Sequence, residues 1–296
     1  MPRRNSWNLP IDEVSGLGRR RDPTSGRPEL LAVGDRESTV VTITADESGR
    51  LPADGRHRTV AVRHHVRGVP DGLTGERGQS DWEGVAGDAD GRVFILQESH
   101  SRVLVLSPTF EFEGSVSLDW DHRDGTSLES LLLLADGHFL SATQETPLRI
   151  LEFAAPGAGP ADLGRWTALP ADRPMHLRPG GDVRCAGSWA VRTDSLTSVN
   201  DLALFGRHLF VISSRSRSVA RFRLPPQGME AVELDAEWPL PDHIADGRGD
   251  RAEGLLVDAE LGVLVGVDRR PGARGPNVFE LDRPALDTEA ETVTDL

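Results

Sequence analysis

The sequence predicts an all-β chain built from repeated units, and three observations lead to this prediction. First, short runs of aliphatic and β-branched residues recur in pairs, and a polar turn separates the two runs of each pair. Second, a short motif that ends in an aliphatic residue precedes each pair. Third, long amphipathic helical patterns are missing. Repetition at intervals of several tens of residues favours radial or linear repetition over a β-sandwich.

The paired runs occur five times along the chain. In the clearest pair, apolar runs at 93–96 and 103–106 flank a polar stretch. The five segments that carry a pair are 29–44, 93–106, 138–153, 208–224 and 262–281. A further strand-like run follows most of the pairs, at 57–66, 112–119 and 229–238. Four strands in sequence are typical of one blade of a β-propeller, so the sequence predicts a five-bladed β-propeller.

A six-bladed ring is the alternative. Residues 156–195 contain two weaker strand candidates, at 164–170 and 182–192, but they do not form a strand–turn–strand pair of the required quality. We therefore expect one propeller domain over residues 1–296, with a long loop insert at about 156–198 that forms a wall or lid. The last unit lacks an evident fourth strand, and either 291–296 or the segment before Val14 is expected to close the ring.

The motif places one oxygen-bearing side chain at the start of the innermost strand of each predicted blade. Because these strands line the central channel, we expect the five side chains to converge around its axis. They are Ser15, Glu83, Glu129, Asn200 and Glu253. Three carboxylates without a counter-charge repel one another, and a hard cation removes that repulsion. Oxygen ligands without His or Cys indicate Ca²⁺, with Mg²⁺ as the second choice. The alternative is that these side chains are solvated in the channel or paired with arginine.

Three of the motifs resemble those of a known family. The segments 13–17 (EVSGL), 80–86 (SDWEGVA) and 252–258 (AEGLLVD) resemble blade starts of the SdiA-regulated propellers and of the phytase-esterase-like propellers near them. The ring order Ser, Glu, Glu, Asn, Glu is similar to that of the calcium-activated apyrase propellers, and this resemblance implies five blades around a central calcium. It covers about residues 11–282. Asn200 stands where the apyrase pattern has Ser, and the nucleotide-contacting segments are not matched, so nucleotide hydrolysis does not follow.

The composition limits the partners and the compartment. The chain carries 33 basic and 47 acidic residues, a net charge of −14, which disfavours nucleic acids and anionic membrane surfaces. No window approaches the length of a membrane span, and the opening segment lacks the apolar run of a signal peptide. Cys185 is the single cysteine, which excludes an internal disulfide. We therefore expect a soluble, cytoplasmic monomer.

Known catalytic motifs give no assignment, since the sequence contains no nucleophile elbow, P-loop or metalloprotease motif. The turns between the second and third strands of the blades are expected to share one face with the ring. On them, Arg36, Arg215 and Arg269 are predicted to bind a small anionic molecule through forked hydrogen bonds, and Glu98 and His100 to transfer protons. We expect a metal-dependent hydrolase or lyase. The alternative is a non-catalytic ligand- or protein-binding propeller with structural calcium and ordinary hydrophilic turns.

Overall fold

The computed structural model describes residues 5–11, 13–53, 60–73, 80–120, 127–161, 166–224, 230–244, 249–270 and 275–281. Within these residues the chain forms strands and a single short 3₁₀ helix, Asp71–Leu73. No helix among them is long and apolar enough to cross a membrane. The segment 291–296, one of two candidates for closing the ring, lies outside the described residues.

The strands pair as successive antiparallel units of four. The first unit contains β2 (Gly16–Arg21), β3 (Pro28–Gly34), β4 (Glu37–Thr44) and β5 (Val62–His65). The second contains β6 (Trp82–Gly87), β7 (Val93–Gln97), β8 (Arg102–Leu106) and β9 (Phe112–Asp119). The third contains β10 (Leu128–Leu133), β11 (Phe139–Thr143), β12 (Arg149–Ala154) and β13 (Asp182–Arg192).

The last two units complete the series. The fourth contains β14 (Asp201–Phe205), β15 (His208–Ser213), β16 (Ser218–Arg223) and β17 (Ala231–Pro239). The fifth contains β18 (Arg251–Asp258), β19 (Gly262–Asp268) and β20 (Val278–Leu281). Its fourth strand is β1 (Ser6–Trp7), which pairs antiparallel with β20. The segment before Val14 therefore supplies the closing strand, which is one of the two predicted possibilities.

The five inner strands close into a ring. In chain order β2 contacts β6, β6 contacts β10, β10 contacts β14, β14 contacts β18, and β18 contacts β2. The backbones approach so closely that small residues are required: a Cβ atom on Gly16 would lie 2.9 Å from the Cα of Gly84. The prediction of an all-β propeller is confirmed, and the described residues form five units. The blade number of the complete chain stays a prediction.

Apolar packing between neighbouring units explains why the middle strands read as continuous hydrophobic runs. Every residue of β3, β7, β11 and β19 is buried, because each unit packs against another unit on both of its faces. The core consists of five clusters, and each combines residues of two consecutive units. In one of them Phe94 of the second unit packs with Phe139 and Phe153 of the third.

Strand β13 changes the interpretation of the expected loop insert. Residues 182–192 pair with β12 as the fourth strand of the third unit, so this part of the range 156–198 is not a loop. The ends of β13 also pair in parallel with β9 and β17. The six-blade alternative depended on the same residues, and they do not start a separate unit. The sequence pattern misled because the residues of β13 are mostly half-buried and carry no continuous apolar run.

Candidate functional site

The five predicted ring residues lie at or immediately before the start of the inner strands, and four of them are buried. Ser15, Glu129, Asn200 and Glu253 are between 1% and 7% exposed, and Glu83 is half-buried. Because inner strands of a propeller start at the same end of the channel, the five residues share that end, which we call the ring face. The structure therefore brings together the acidic side chains that the motif singled out.

The carboxyl groups of the ring repel one another. Burial raises the pKa of Glu83 well above its usual range, and the charges of Glu253 and Glu98 raise it further. Burial likewise raises the pKa of Glu129, with further contributions from Glu83, Glu98 and Glu253. Burial and the charges of Asp268 and Asp35 raise the pKa of Glu253 to about 8, although Arg251 opposes the shift. These mutual effects show that three inner strands direct carboxyl groups into one region.

The ring carboxylates are nevertheless spread more widely than the ligands of one tightly coordinated ion. Among the described residues, the carboxylate oxygens of Glu83, Glu129 and Glu253 do not all lie within 4.8 Å of one another. Oxygen ligands bind Ca²⁺ at about 2.3–2.6 Å, so direct coordination by several ring residues requires their side chains to move inward. Coordination through water molecules does not require this movement.

Asn200 is the ring residue that fits a cation least well in this conformation. Its Oδ1 atom accepts hydrogen bonds from the hydroxyl of Ser198 at 3.0 Å and from the backbone N–H of Ser214 at 2.9 Å. Both lone pairs of the oxygen are therefore used. A cation at Asn200 would have to displace the Ser198 hydroxyl.

A second set of polar residues, which the sequence reasoning missed, stands two positions before each ring residue. It consists of Glu13, Asp81, Ser127, Ser198 and Arg251. In extended chain, residues two apart lie on the same side, so these side chains can contact the ring. The Ser127 hydroxyl donates to Oε1 of Glu129 at 3.3 Å, and Arg251 forms an ion pair with Glu253 at 3.2 Å. Extending the motif by two residues would have found the whole set.

Asp201 was also missed, and it connects the inner strands below the ring. Its carboxylate accepts backbone N–H bonds from Leu255 at 2.7 Å and from Leu202 at 2.8 Å, so it links the fourth and fifth units. Burial raises its pKa to about 7, although these hydrogen bonds oppose the shift. The other four motifs carry Gly or Ser at this register position. That exception is the sequence signal that could have identified Asp201.

The turn that follows β7 places Glu98 close to the ring but gives no comparable evidence for His100. The charge of Glu98 raises the pKa of both Glu83 and Glu129, so its carboxylate lies near theirs. His100 contacts the hydroxyl of Ser99 through Nδ1 at 2.8 Å and is half-buried. No described contact joins His100 to the ring.

The three arginines expected to bind an anion are all paired with carboxylates. Arg36 contacts Oε1 of Glu13 at 2.5 Å, and the exposed Arg215 pairs with the exposed Glu145. Arg269 is mostly buried, pairs with Asp250, and donates from Nε to the carbonyl of Pro276 at 3.0 Å. Arg36 and Arg215 can exchange their partners for a ligand at the surface. Arg269 cannot do so without losing contacts within its own unit.

A cavity of about 460 Å³ lies at the opposite end of the channel from the ring. The later residues of all five inner strands form its wall, which is mainly aliphatic and includes Leu17, Val85, Leu131, Leu202 and Leu255. Residues 167–171, from the segment between β12 and β13, complete it. No predicted site residue lines this cavity.

One further cluster brings ligand-type atoms together. Asp136, His138 and Glu152 place one ligating atom each within 4.8 Å of the others, at the edge of the third unit. Both oxygens of the fully buried Glu152 already have partners: Oε1 accepts from Ala161 N–H at 2.8 Å and Oε2 from Trp166 Nε1 at 3.1 Å. The cluster thus attaches the segment after β12 to its unit.

Comparison with known proteins supports the fold. No protein-family model and no curated protein matches the sequence. Glutaminyl cyclase from Myxococcus xanthus has a similar structure, with a TM-score of 0.50, 11% identity, and coverage of 94% of this chain and 93% of that chain. A catalytically inactive virginiamycin B lyase from Staphylococcus aureus, solved with quinupristin, is also similar. Its TM-score is 0.44 and its identity 10%, and the match covers 90% of this chain and 81% of that chain.

A further solved structure is larger than this chain. For a protein of unknown function from Bacteroides caccae the TM-score is 0.40 and the identity 13%, with 80% of this chain covered. The chain spans 64% of the length of that protein, which is less than two thirds. At these identities the similarities concern the fold and not the activity.

Proposed function

We propose that the protein is a Ca²⁺-binding β-propeller that acts as a hydrolase or lyase on a small anionic substrate at the ring face. The observation that carries this proposal is the convergence of Glu83, Glu129 and Glu253 from three inner strands. Burial raises the pKa of all three; Glu253 raises that of Glu83, Glu83 and Glu253 raise that of Glu129, and Asp268 and Asp35 raise that of Glu253. A cation that binds among them would convert this repulsion into attraction.

The donor set favours a hard cation. All five ring residues offer oxygen, and carboxylate oxygens suit Ca²⁺, whose coordination shell tolerates six to eight ligands and irregular geometry. Mg²⁺ remains the second choice, because it requires closer octahedral packing than these separated side chains provide. Bound at the ring, the cation would polarise an oxygen atom of the substrate.

The surrounding turns supply groups for binding and proton transfer. Arg36 and Arg215 stand exposed at the rim, where their guanidinium groups can orient an anionic group. Glu98 lies near Glu83 and Glu129 and is the better placed of the two predicted proton-transfer residues. His100 and Arg269 keep their proposed roles only in a rearranged site. The presence of enzymes among the structural neighbours agrees with this proposal, although fold alone does not fix an activity.

A non-catalytic propeller with a structural cation is the second candidate. One observation favours it: the three arginines predicted to bind substrate are all paired with carboxylates of the protein itself. Under this alternative the cation would hold the inner strands together, and the ring face would bind a ligand or partner protein without catalysing a reaction.

Calorimetric titration with Ca²⁺, together with thermal unfolding, tests the cation site. We expect saturable binding and a rise in melting temperature, because a ligand at 100 times its Kd stabilises the folded state by about 2.7 kcal/mol. Glu129→Gln should lose most of this response. Glu260→Gln, which removes an exposed carboxylate at the other end of the channel, is the matched control and should keep it. An unchanged melting curve in Ca²⁺ and in chelator would contradict the proposal.

Activity measurements then separate the two candidates. If Ca²⁺ binds, esters, lactones and phosphorylated small molecules can be screened for Ca²⁺-dependent turnover with wild type and Arg36→Ala. Turnover that Arg36→Ala weakens through KM supports the enzyme. Tight Ca²⁺ binding without turnover of any of these classes supports the non-catalytic propeller.

A further inference from the structure

The channel becomes apolar below the ring. Two positions after its ring residue, each inner strand carries an aliphatic residue that lines the cavity at the other end of the channel. These residues are Leu17, Val85, Leu131, Leu202 and Leu255. Two residues of extended chain span about 7 Å, so the change from oxygen-bearing to aliphatic residues occurs over that distance. An apolar cavity holds water poorly, because each water molecule needs polar partners.

The segment between β12 and β13 gives this cavity an apolar rim. Residues 168–171 line the cavity and are all apolar and half-buried. Backbone hydrogen bonds attach the segment to β10 and the turn after it. Leu169 N–H donates to the Leu133 carbonyl at 2.8 Å, and Ala135 N–H donates to the Thr167 carbonyl at 2.9 Å. The rim is therefore formed before anything binds, which lowers the cost of binding.

The charged residues that line the cavity, among those the structure describes, all have partners of opposite charge within the protein. The ion pairs are Arg19–Asp258 at 2.5 Å, Arg19–Glu260 at 3.4 Å, Arg20–Glu29 at 2.6 Å and Asp88–Arg92 at 2.7 Å. A charged ligand would have to break one of these pairs or enter an aliphatic space without a counter-charge, and both are costly. The wall therefore favours an uncharged ligand.

The volume limits the size of that ligand. An apolar cavity of about 150 Å³ admits benzene, and this one, at about 460 Å³, is about three times as large. By the same proportion it admits about 18 non-hydrogen atoms. The exposed residues Gly206, Ala259 and Glu260 lie in its wall, so the cavity opens to solvent at the turns after β14 and β18. A small molecule can enter there, whereas an α-helix is about 10–12 Å wide with its side chains and does not fit.

We propose that this cavity binds an uncharged, largely apolar small molecule of up to about 18 non-hydrogen atoms. The aliphatic layer of the five inner strands and the rim at 168–171 would supply the contacts. The inference concerns the end of the channel away from the ring, so it does not depend on the cation or on the proposed function.

Titration with N-phenylnaphthylamine, followed by its fluorescence, tests the inference. This probe is uncharged, has a size that the cavity admits, and becomes fluorescent in apolar surroundings. We expect one saturable site per wild-type chain, with the same affinity in Ca²⁺, in chelator and in Glu129→Gln. Anilinonaphthalene sulfonate has the same rings and a negative charge, and it should bind at least about tenfold more weakly, because its charge finds no free partner.

Two variants place a charge in the wall. Leu169→Glu changes the rim and Leu132→Glu changes the end of β10; both leucines line the cavity and are half-buried. Each variant should bind the probe at least about tenfold more weakly, because the bound probe would bury the new carboxylate without a partner. Leu234→Glu, at an exposed leucine of β17, is the matched control and should bind like wild type. Nuclear Overhauser effects from the probe to leucine methyl groups of wild type locate the site even where the variants fold poorly.

The outcomes decide the inference without the ring. No saturable binding to wild type, or wild-type affinity in both charged variants when circular dichroism shows them folded, would overturn it. Equal affinity for the sulfonate would overturn the preference for an uncharged ligand. Probe binding that is lost in Glu129→Gln would place the probe at the ring, and binding that falls as the chain self-associates would show that a second copy fills the cavity; either result would overturn it. Probe binding in a protein that does not bind Ca²⁺ would support this inference and refute the proposed function.

Discussion

Replacing Asp201 by asparagine tests how the ring of inner strands is held together. The carboxyl group is 2% exposed, and burial raises its pKa from 3.8 to about 7. Asparagine has the shape of the protonated side chain, and its amide oxygen can still accept a backbone N–H bond from Leu202 or Leu255. The substitution therefore removes the buried charge and keeps the volume.

The sign of the pH effect follows from the direction of the shift. The folded-state pKa of Asp201 lies above the unfolded value, so the folded chain binds this proton more tightly. The contribution of this proton to the free energy of unfolding is fully present below pH 3.8 and is lost as the pH rises through about 7. The loss amounts to about 1.4 kcal/mol per pH unit below the folded pKa, or about 2 kcal/mol between pH 5 and pH 7 and about 3 kcal/mol by pH 8. The amide introduced by Asp201→Asn does not titrate, so this loss would disappear.

Urea denaturation followed by tryptophan fluorescence, at pH 5 and pH 8 in chelator, measures the effect. The stability of Asp201→Asn relative to wild type should rise by about 3 kcal/mol between the two pH values. Other titrating groups are common to both proteins and cancel in the comparison. Asp242→Asn, an exposed carboxylate paired with Arg217, is the control and should follow wild type. Equal pH dependence of wild type and Asp201→Asn would refute the reasoning.

Three further predictions concern packing, ion pairs and the cation. Gly84→Ala should destabilise by about 3 kcal/mol, because the new Cβ atom would lie 2.7 Å from neighbouring backbone, whereas Gly159→Ala has open space and should be neutral in the same urea assay. Arg269→Ala should cost about 2 kcal/mol, since it removes the nearer guanidinium from the mostly buried carboxylate of Asp250 and leaves only Arg270 at 3.6 Å. Arg215→Ala, at an exposed ion pair, should cost less than about 1 kcal/mol, and equal losses would contradict this ranking. The pKa of Glu253 is raised from 4.5 to about 8. In the presence of chelator, protonation of Glu253 therefore contributes its full stabilisation below pH 4.5, and this stabilisation is lost as the pH rises through about 8. Saturating Ca²⁺ should suppress that loss in thermal scans from pH 5 to pH 9, and a persisting slope would count against the cation.

The repeated fold could be predicted because its pattern is local. Each middle strand is buried on both faces, so it appears in the sequence as an uninterrupted apolar run such as 93–96. Outer strands have no such pattern. Strand β13 contains Arg184, Gly187 and Ser188 between its apolar residues and is mostly half-buried, which is why the sequence pattern predicts a loop there.

The site could be predicted only as far as it follows the motif. Glu83, Glu129 and Glu253 repeat at one register position and do converge. The contacts of Arg36 and Arg269 depend on partners supplied by loops, Glu13 and Asp250, which no periodicity identifies in advance.

The strand that closes the ring has a consequence for how the protein folds. Ser6 pairs with Phe279 and Trp7 with Val278, and the Asn277 side chain accepts from Leu9 N–H at 2.7 Å and donates to the Ile11 carbonyl at 2.8 Å. During synthesis, β1 therefore cannot form its pairing until residues more than 260 positions later in the chain have been made. The first four units can form as they emerge, but the fifth must recruit its outer strand from the opposite end of the chain. Contacts this distant in sequence slow folding, so closure of the ring is expected to be the last and slowest step of assembly.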